Sequence, residues 1–165
     1  DEENLARGID CSRAIWFAFT RAGLPYNRND RYLNTAMMVE ADSPMKDQFE
    51  RCDDMDLRIG DILVYRDDSR GDGHVVMVID PRKRIAWGSH GWDGNAGKLK
   101  IEPDTGVEYQ LIRYKKDWQR WDRSTMDLKA CWRYREFALE AEQGRGLPGM
   151  KALSDVCNAR RNCGL

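Results

Sequence analysis

Cys11 is the residue of this chain whose type and position best suit nucleophilic chemistry. It follows the turn-forming stretch Gly8-Ile9-Asp10 and precedes an apolar run in which Ile15 and Phe19 recur at helical spacing. This pattern predicts a helix over residues 11–22, with the thiol in its first turn. Unpaired backbone N–H groups and the helix dipole at that position lower the pKa of a thiol. The stretch therefore indicates a reactive cysteine, with a buried structural cysteine as the alternative.

The two histidines of the sequence, His74 and His90, could supply a base to that thiol. His74 stands first in the apolar strand predicted over residues 74–80, and the end of a strand suits a general base. His90 directly follows the strand predicted over residues 85–89. Since the start of one strand of a hairpin faces the end of the next, we expect the two histidines to meet, with His90 orienting the imidazole of His74. The alternative for each is a structural histidine that makes one backbone hydrogen bond.

The elements that must position these residues are a mixture of helices and strands. A short helix is expected over residues 33–40 and an irregular stretch over 44–55. Apolar runs bounded by turn residues predict strands over residues 58–65, 74–80, 85–89 and 107–114. Helical spacing returns over residues 126–142 and 153–161. This order of elements predicts an α+β fold.

Composition excludes several classes of partner. The chain has 165 residues, enough for one domain with its own core. Its 27 basic and 28 acidic residues leave a net charge of −1, which offers no attraction for nucleic acid or for an anionic membrane. No CxxC pair is present, so neither a zinc site nor another cofactor is expected. We expect the chain to act as a monomer.

The five cysteines are an odd number, so two disulfides would leave one thiol free. Cys157 and Cys163 are close enough in sequence to form a local bridge, and Cys52 could pair with Cys131. This pairing leaves Cys11 free and favours an oxidising compartment. The alternative is a cytosolic protein with five reduced thiols.

Three motifs in this order resemble the NlpC/P60 family of papain-like cysteine peptidases. They are Asp10-Cys11-Ser12, Gly60-Asp61-Ile62-Leu63-Val64-Tyr65 and Gly73-His74-Val75-Val76-Met77-Val78. The resemblance implies a papain-like fold in which the nucleophile helix packs on a central antiparallel sheet. The resemblance covers roughly residues 8–95. We expect the catalytic core to span residues 1–117, and the helices over 118–165 lie outside the resemblance and are expected to pack on the same domain as an extension. Arg13 stands where the family has glycine.

The activity that the resemblance implies is cleavage of an amide bond in the peptide stem of bacterial peptidoglycan, typically between D-glutamate and the diamino acid that follows. The Cys11 thiolate would attack the carbonyl and His74 would shuttle the proton. Backbone N–H groups at the helix start would hold the oxyanion. His90 is our choice for the third catalytic residue, and the alternatives are Ser89, Asp93 and Asn95.

Several residues near the predicted groove could contact the substrate. Arginines could pair with stem carboxylates and tryptophans could pack on apolar parts of the stem. The alternative is that they are solvated arginines and core tryptophans. The predicted contacts are Arg13, Trp87, Ser89, Trp92 and Asp93, with Arg31 as a further arginine.

Two biological settings fit such an enzyme. One is an antibacterial effector of the type VI secretion kind, delivered by secretion machinery into the periplasm of a rival and neutralised in its producer by an immunity protein. We favour this setting because no binding module is visible beside the catalytic core. The other is a housekeeping endopeptidase that remodels the cell wall, and a non-catalytic cell-wall binding module is a further alternative. The predicted location is secreted or periplasmic.

Overall fold

The computed structural model describes residues 10–89, 98–101, 107–111, 118–120 and 125–136. In this part of the chain two α-helices, a 3₁₀ turn and seven strands follow one another. The helices are α1 (Cys11–Arg21) and α2 (Thr35–Val39), and the 3₁₀ turn is Pro44–Asp47. The strands are β1 (Phe49–Arg51), β2 (Ile62–Asp67), β3 (Asp72–Asp80), β4 (Ile85–Ser89), β5 (Lys98–Ile101), β6 (Val107–Leu111) and β7 (Asp127–Tyr134). Among the described helices, none has the length and apolar character that crossing a bilayer requires.

The strands form one antiparallel sheet in the order β1-β7-β2-β3-β4-β6-β5. The predicted α+β class is confirmed, and the predicted first helix and the strands corresponding to β2, β3, β4 and β6 are present. Helix α1 packs against β3 and β4, so the expected arrangement of the first helix on an antiparallel sheet is also found.

Apolar side chains fill both faces of the sheet. Alternate residues of a strand point to opposite faces, and β3 accordingly sends Val75 and Met77 to one side and Val76 and Val78 to the other. The first side is covered by α1 and α2, and its core consists of Ile15, Phe19, Tyr26, Leu33, Met38, Met45, Phe49, Ile62, Val64, Val75, Met77, Ala130, Trp132 and Tyr134. The near-continuous apolar sequence of β3 reflects burial on both faces.

The first of the two predicted C-terminal helices is wrong. The sequence predicts a long helix over residues 126–142, but Asp127–Tyr134 is strand β7, which lies between β1 and β2. Leu128 and Trp132 are four residues apart, a spacing that fits one stripe of a helix as well as one face of a strand. A register shift between β2 and β7 sends them to opposite faces instead. The rest of the predicted extension, over residues 137–165, lies outside the described residues, as does the predicted pair Cys157 and Cys163.

Two further contacts hold β7 in the sheet. Cys131 forms a disulfide with Cys52, with 5.0 Å between their Cα atoms, and Cys11 is free. The predicted pairing of Cys52 and Cys131 is thus confirmed. Arg133 donates from Nε to Asp61 Oδ1 at 2.9 Å and from Nη2 to Oδ2 at 2.7 Å, and both side chains are buried. The Gly-Asp motif at the entry to β2 therefore anchors β7.

Candidate active site

Helix α1 begins with a complete N-cap beside the thiol. Asp10 Oδ1 accepts the backbone N–H of Arg13 at 2.8 Å, and Ser12 Oγ donates to the same oxygen at 3.1 Å. An aspartate in this position satisfies a backbone donor that the helix itself leaves unpaired. The cap fixes Cys11 as the first residue of the helix, which is where the sequence predicts it.

The thiol lies against the main chain of β3. Cys11 Sγ is 4.0 Å from the carbonyl oxygen of Gly73, and the backbone N–H of Val75 hydrogen-bonds to the sulfur. Farther along β3, the N–H of Val78 donates to the carbonyl of Asp61, and the carbonyl of Val78 accepts the N–H of Gly60. Both groups of Val78 thus point to the β2 side of β3. In an antiparallel strand the polar groups of alternate residues point to opposite edges. Gly73 and Val75 therefore face the β4 edge of β3, and the sulfur lies at that edge.

His74 stands between the two residues that hold the thiol. Its side chain is 5% exposed, and it pairs with Tyr65 of β2. Alternation places His74 on the sheet face of Val76, while α1 covers the face of Val75. Cys11 packs against the core on the face that α1 covers. The sulfur therefore lies beside the main chain that carries His74, whereas the His74 side chain is on the other face of the sheet. The structure thus brings together the segments that carry the predicted nucleophile and the predicted base.

The electrostatics of the thiol differ from the expectation. Burial raises the pKa of Cys11, and the carboxylate of Asp10 raises it further. The backbone N–H groups of Val75 and Ser12 lower it, and of these only that of Ser12 belongs to the helix start, where the sequence indicates such an effect. Desolvation outweighs these donors, so the resting thiol is protonated at neutral pH, and the expected lowering of its pKa is wrong. A base must remove its proton before it can attack.

Gly73 allows α2 to approach β3 beside this site. A Cβ at this position would lie 2.9 Å from Thr35 Cβ and would overlap Thr35 Oγ1. Thr35 Oγ1 also accepts a hydrogen bond from Arg66 Nη1 at 2.9 Å. The glycine before the histidine is therefore a packing requirement of this fold.

The other predicted site residues are described in part. Trp87 is half-buried and packs against the core under α1, and it pairs with Met77 of β3. Ser89 is 0% exposed at the end of β4 and shares the sheet face of Trp87 by alternation. Arg13 and Arg31 are exposed. The remaining predicted residues lie outside the described residues, namely His90, Trp92, Asp93 and Asn95.

Tyr32 is a neighbour of the site that the sequence prediction missed, because it falls in a stretch interpreted as polar loop. Its hydroxyl lies 3.2 Å from Ser12 Oγ, and its ring lies 5.4 Å from the guanidinium carbon of Arg13. Burial raises the pKa of Tyr32, while its hydrogen bond to Ser12 lowers it and the charge of Asp10 raises it further. The contact joins residues 20 positions apart, and no local sequence signal could have indicated it.

One cluster of potential metal ligands occurs among the described residues. Cys52, Asp61 and Cys131 bring two sulfurs and a carboxylate oxygen within 4.8 Å of one another. The two sulfurs are joined in a disulfide, and the carboxylate binds Arg133. Since a disulfide sulfur is no thiolate ligand, the cluster is explained by these two links and not by a metal ion.

Comparison with known proteins gives one family. The family model described as bacteriophage peptidoglycan hydrolase matches residues 4–116, well over half of the chain and a span that includes Cys11, Gly73 and His74. No curated protein and no solved structure matches the chain. The chain therefore belongs to the bacteriophage peptidoglycan hydrolase family, whose members are hydrolases with peptidoglycan as their substrate.

Proposed function

We propose that the chain is a thiol amidase that cleaves a bond in the peptide stem of peptidoglycan, between D-glutamate and the diamino acid that follows. The observation that carries this proposal is the position of the Cys11 sulfur, at the start of α1 and bound to the backbone on both sides of His74. Membership of the family indicates that the substrate is peptidoglycan, and we assign the role of nucleophile to the Cys11 thiol at the edge of β3.

The reaction proceeds in two steps. His74 takes the proton of the Cys11 thiol as the sulfur attacks the scissile carbonyl carbon, so that a C–S bond forms. The same imidazole then gives its proton to the leaving amine as the C–N bond breaks, which leaves a thioester. His74 takes a proton from a water molecule as its oxygen attacks the thioester carbon. The new C–O bond forms, the C–S bond breaks to release the stem carboxylic acid, and His74 returns the proton to the Cys11 sulfur. The raised pKa of Cys11 makes such a base necessary at neutral pH.

The backbone at the start of α1 is placed to stabilise the oxyanion. The first N–H groups of a helix have no partner within the helix. In α1 the N–H of Arg13 donates to Asp10. We therefore assign the oxyanion to the N–H of Cys11 and one neighbouring backbone N–H at the helix start. The positive end of the helix dipole acts in the same direction.

We further propose His90 as the residue that orients His74. A Cβ on Gly88 would lie 3.3 Å from the carbonyl oxygen of Val75, so the end of β4 runs beside the thiol segment of β3. His90 follows Ser89 directly in the sequence, and the chain leaves β4 at this point. Ser89, Asp93 and Asn95 are the alternatives for this role.

Substrate contacts are proposed for five residues around the same edge. Arg13 supplies an exposed cation next to the nucleophile, and Trp87 lies on the sheet face that α1 covers. Ser89 ends β4 on the same sheet face as Trp87. Trp92 and Asp93, which follow β4 in the sequence, are the other proposed contacts.

For the biological setting we propose an exported enzyme that attacks the wall of a bacterial cell. The disulfide between Cys52 and Cys131 supports an oxidising location, either secreted or periplasmic. The family's description refers to bacteriophage enzymes, which supports a lytic role over wall remodelling in a producer. Delivery by secretion machinery and a neutralising immunity protein belong to this proposal, and a housekeeping endopeptidase is the alternative.

The test is digestion of purified sacculi followed by mass spectrometry of the released fragments. Wild-type protein is expected to release stem fragments with a new free amine on the diamino acid. Cys11→Ala should lower turnover by about 10⁴-fold or more, because the nucleophile is lost, while circular dichroism and melting temperature stay unchanged. Thr20→Ala, an exposed change on the same helix, is the matched control and should retain full activity.

Other outcomes would separate the alternatives. If Cys11→Ala digests sacculi as fast as wild type, the thiol mechanism is wrong. If wild type binds sacculi but leaves the fragment profile unchanged, the chain is a binding module. Periplasmic expression in a sensitive bacterium distinguishes a lytic enzyme, which should lyse the cells, from a remodelling enzyme, which should not.

A further inference from the structure

Arg13 and Tyr32 form a side-chain pair next to the nucleophile that the reaction mechanism does not use. The guanidinium carbon of Arg13 lies 5.4 Å from the centre of the Tyr32 ring, within the range of a cation–π contact. The ring thus supports one side of the guanidinium. Arg13 itself is exposed, so its N–H donors are open to a ligand.

Hydrogen bonding fixes the orientation of Tyr32. Ser12 has one hydroxyl proton, which it donates to Asp10 Oδ1 at 3.1 Å. The Tyr32 hydroxyl lies 3.2 Å from Ser12 Oγ, within hydrogen-bond distance. Ser12 is 4% exposed, so the tyrosine is tied to the interior of the helix start. The ring is held in place before any ligand arrives.

The charge of Arg13 has no counter-ion among the residues that the structure describes. The nearest acidic residue in sequence, Asp10, uses its Oδ1 for the backbone of Arg13 and for Ser12. A planar guanidinium with free donors suits a carboxylate, which it can bind through two parallel hydrogen bonds. Arg13 follows the nucleophile by two residues, and the Tyr32 hydroxyl interacts electrostatically with both Cys11 and Arg13, which places the pair close to the nucleophile.

We propose that Arg13, supported by Tyr32, binds a free carboxylate on a substrate residue that flanks the scissile amide. The pair would make the enzyme selective for stem peptides whose D-glutamate carries a free α-carboxylate, and it would disfavour stems in which this group is a carboxamide. A carboxamide loses the charge and turns an N–H₂ group toward the arginine donors. This inference rests on the proposed function, since it names the stem chemistry that the same site selects.

The test compares two synthetic stem peptides that differ only in a carboxylate or a carboxamide at the α-position of D-glutamate. For wild type, kcat/KM should be about tenfold or more higher for the carboxylate, the value of a charge-assisted hydrogen bond. Arg13→Gln should bring this ratio to about one by lowering kcat/KM for the carboxylate peptide alone. Tyr32→Leu should lower the ratio to about threefold or less, because the guanidinium loses its support. Tyr32→Phe keeps the ring but loses the hydrogen bond to Ser12, and its ratio should lie between those of Tyr32→Leu and wild type.

Arg21→Gln is the matched control. Arg21 lies over the ring of Phe17 at 5.0 Å on the same helix, but at the end far from Cys11, and its loss should leave the ratio unchanged. A second measurement uses the Cys11→Ala protein, which should bind the carboxylate peptide about tenfold more tightly than the carboxamide peptide in calorimetry. This preference should disappear in Cys11→Ala/Arg13→Gln.

The outcomes distinguish the two proposals. Cleavage of both peptides at equal rates by wild type would overturn the carboxylate selectivity and leave the proposed function standing. A selectivity that survives Arg13→Gln would likewise overturn the role of this pair. If wild type cleaves and binds neither peptide, the proposed function fails, and the selectivity fails with it.

Discussion

Asp10 has two opposing effects at the start of α1. Its carboxylate caps the helix by accepting the N–H of Arg13 at 2.8 Å, which stabilises the turn that presents the thiol. Burial is the main cause of the raised pKa of Cys11, and the carboxylate of Asp10 raises it further, because a nearby negative charge disfavours the thiolate. Geometry and acidity are therefore coupled through one side chain.

Asp10→Asn separates these effects, since asparagine caps a helix as well as aspartate does but carries no charge. We expect the pKa of Cys11 to fall and the thiolate fraction at a given pH to rise. Alkylation of Cys11 by iodoacetamide at pH 7, followed by mass spectrometry of its peptide, should be faster by about twofold or more. Asp42→Asn, an exposed change elsewhere, should leave the rate unaltered. A slower or unchanged rate for Asp10→Asn would show that its charge does not act on the sulfur.

At the scale of elements, the site depends on how closely α2 lies against β3. Gly73 is the point of closest approach, and Thr35 at the start of α2 fills the space that a side chain would need. The same glycine holds the thiol through its carbonyl. A shift of β3 at this position would consequently move the thiol contacts and His74 together.

Gly73→Ala should destabilise the protein and slow the reaction at the same time. The added methyl group forces α2 away from β3, which should lower the free energy of unfolding by about 1–3 kcal/mol in urea titrations. Asp72→Ala, in the neighbouring exposed position, should have little effect on either property. Gly73→Ala/Thr35→Ala removes the opposing hydroxyl and should recover part of the loss. Full stability of Gly73→Ala would contradict the packing argument.

The sequence was sufficient for elements whose pattern has one interpretation. The apolar run after His74 and the helical spacing after Cys11 predicted β3 and α1, and both carry the candidate site. Strand β7 could not be identified, because the spacing of Leu128 and Trp132 fits a helix and a strand equally. Strand β1 has three residues, too few for any pattern.

The same limit applies to the site. Cys11 and His74 could be located because each stands at the boundary of a strongly patterned element. Tyr32 could not, since its contact with Ser12 depends on how a loop folds back onto α1. The direction of the pKa shift of Cys11 also depends on tertiary structure, because burial is its main cause.

At the scale of the whole molecule, β7 links the sheet to the N-terminal half of the chain. Its pairing with β1 and β2 places it between strands that come much earlier in the sequence. Two of its buried side chains reinforce this position, through the disulfide of Cys131 with Cys52 and the ion pair of Arg133 with Asp61. Asp61 directly precedes β2, and β2 pairs with β3, the strand that carries His74. The contacts of β7 therefore reach the catalytic strand only through β2.

Loss of the disulfide should therefore lower stability without touching the nucleophile. Cys52 and Cys131 are 79 residues apart, and opening a loop of this length frees much chain entropy in the unfolded state. Cys52→Ala/Cys131→Ala should lower the free energy of unfolding by about 2–5 kcal/mol, and dithiothreitol should have a similar effect on wild type. Cys157→Ala/Cys163→Ala should cost less, because the disulfide predicted between these two cysteines would close only a short loop. At a temperature where the double variant is still folded, its rate on sacculi should match that of wild type, because Cys11 takes no part in the bond. A large loss of rate in the folded variant would show instead that β7 positions the catalytic strand.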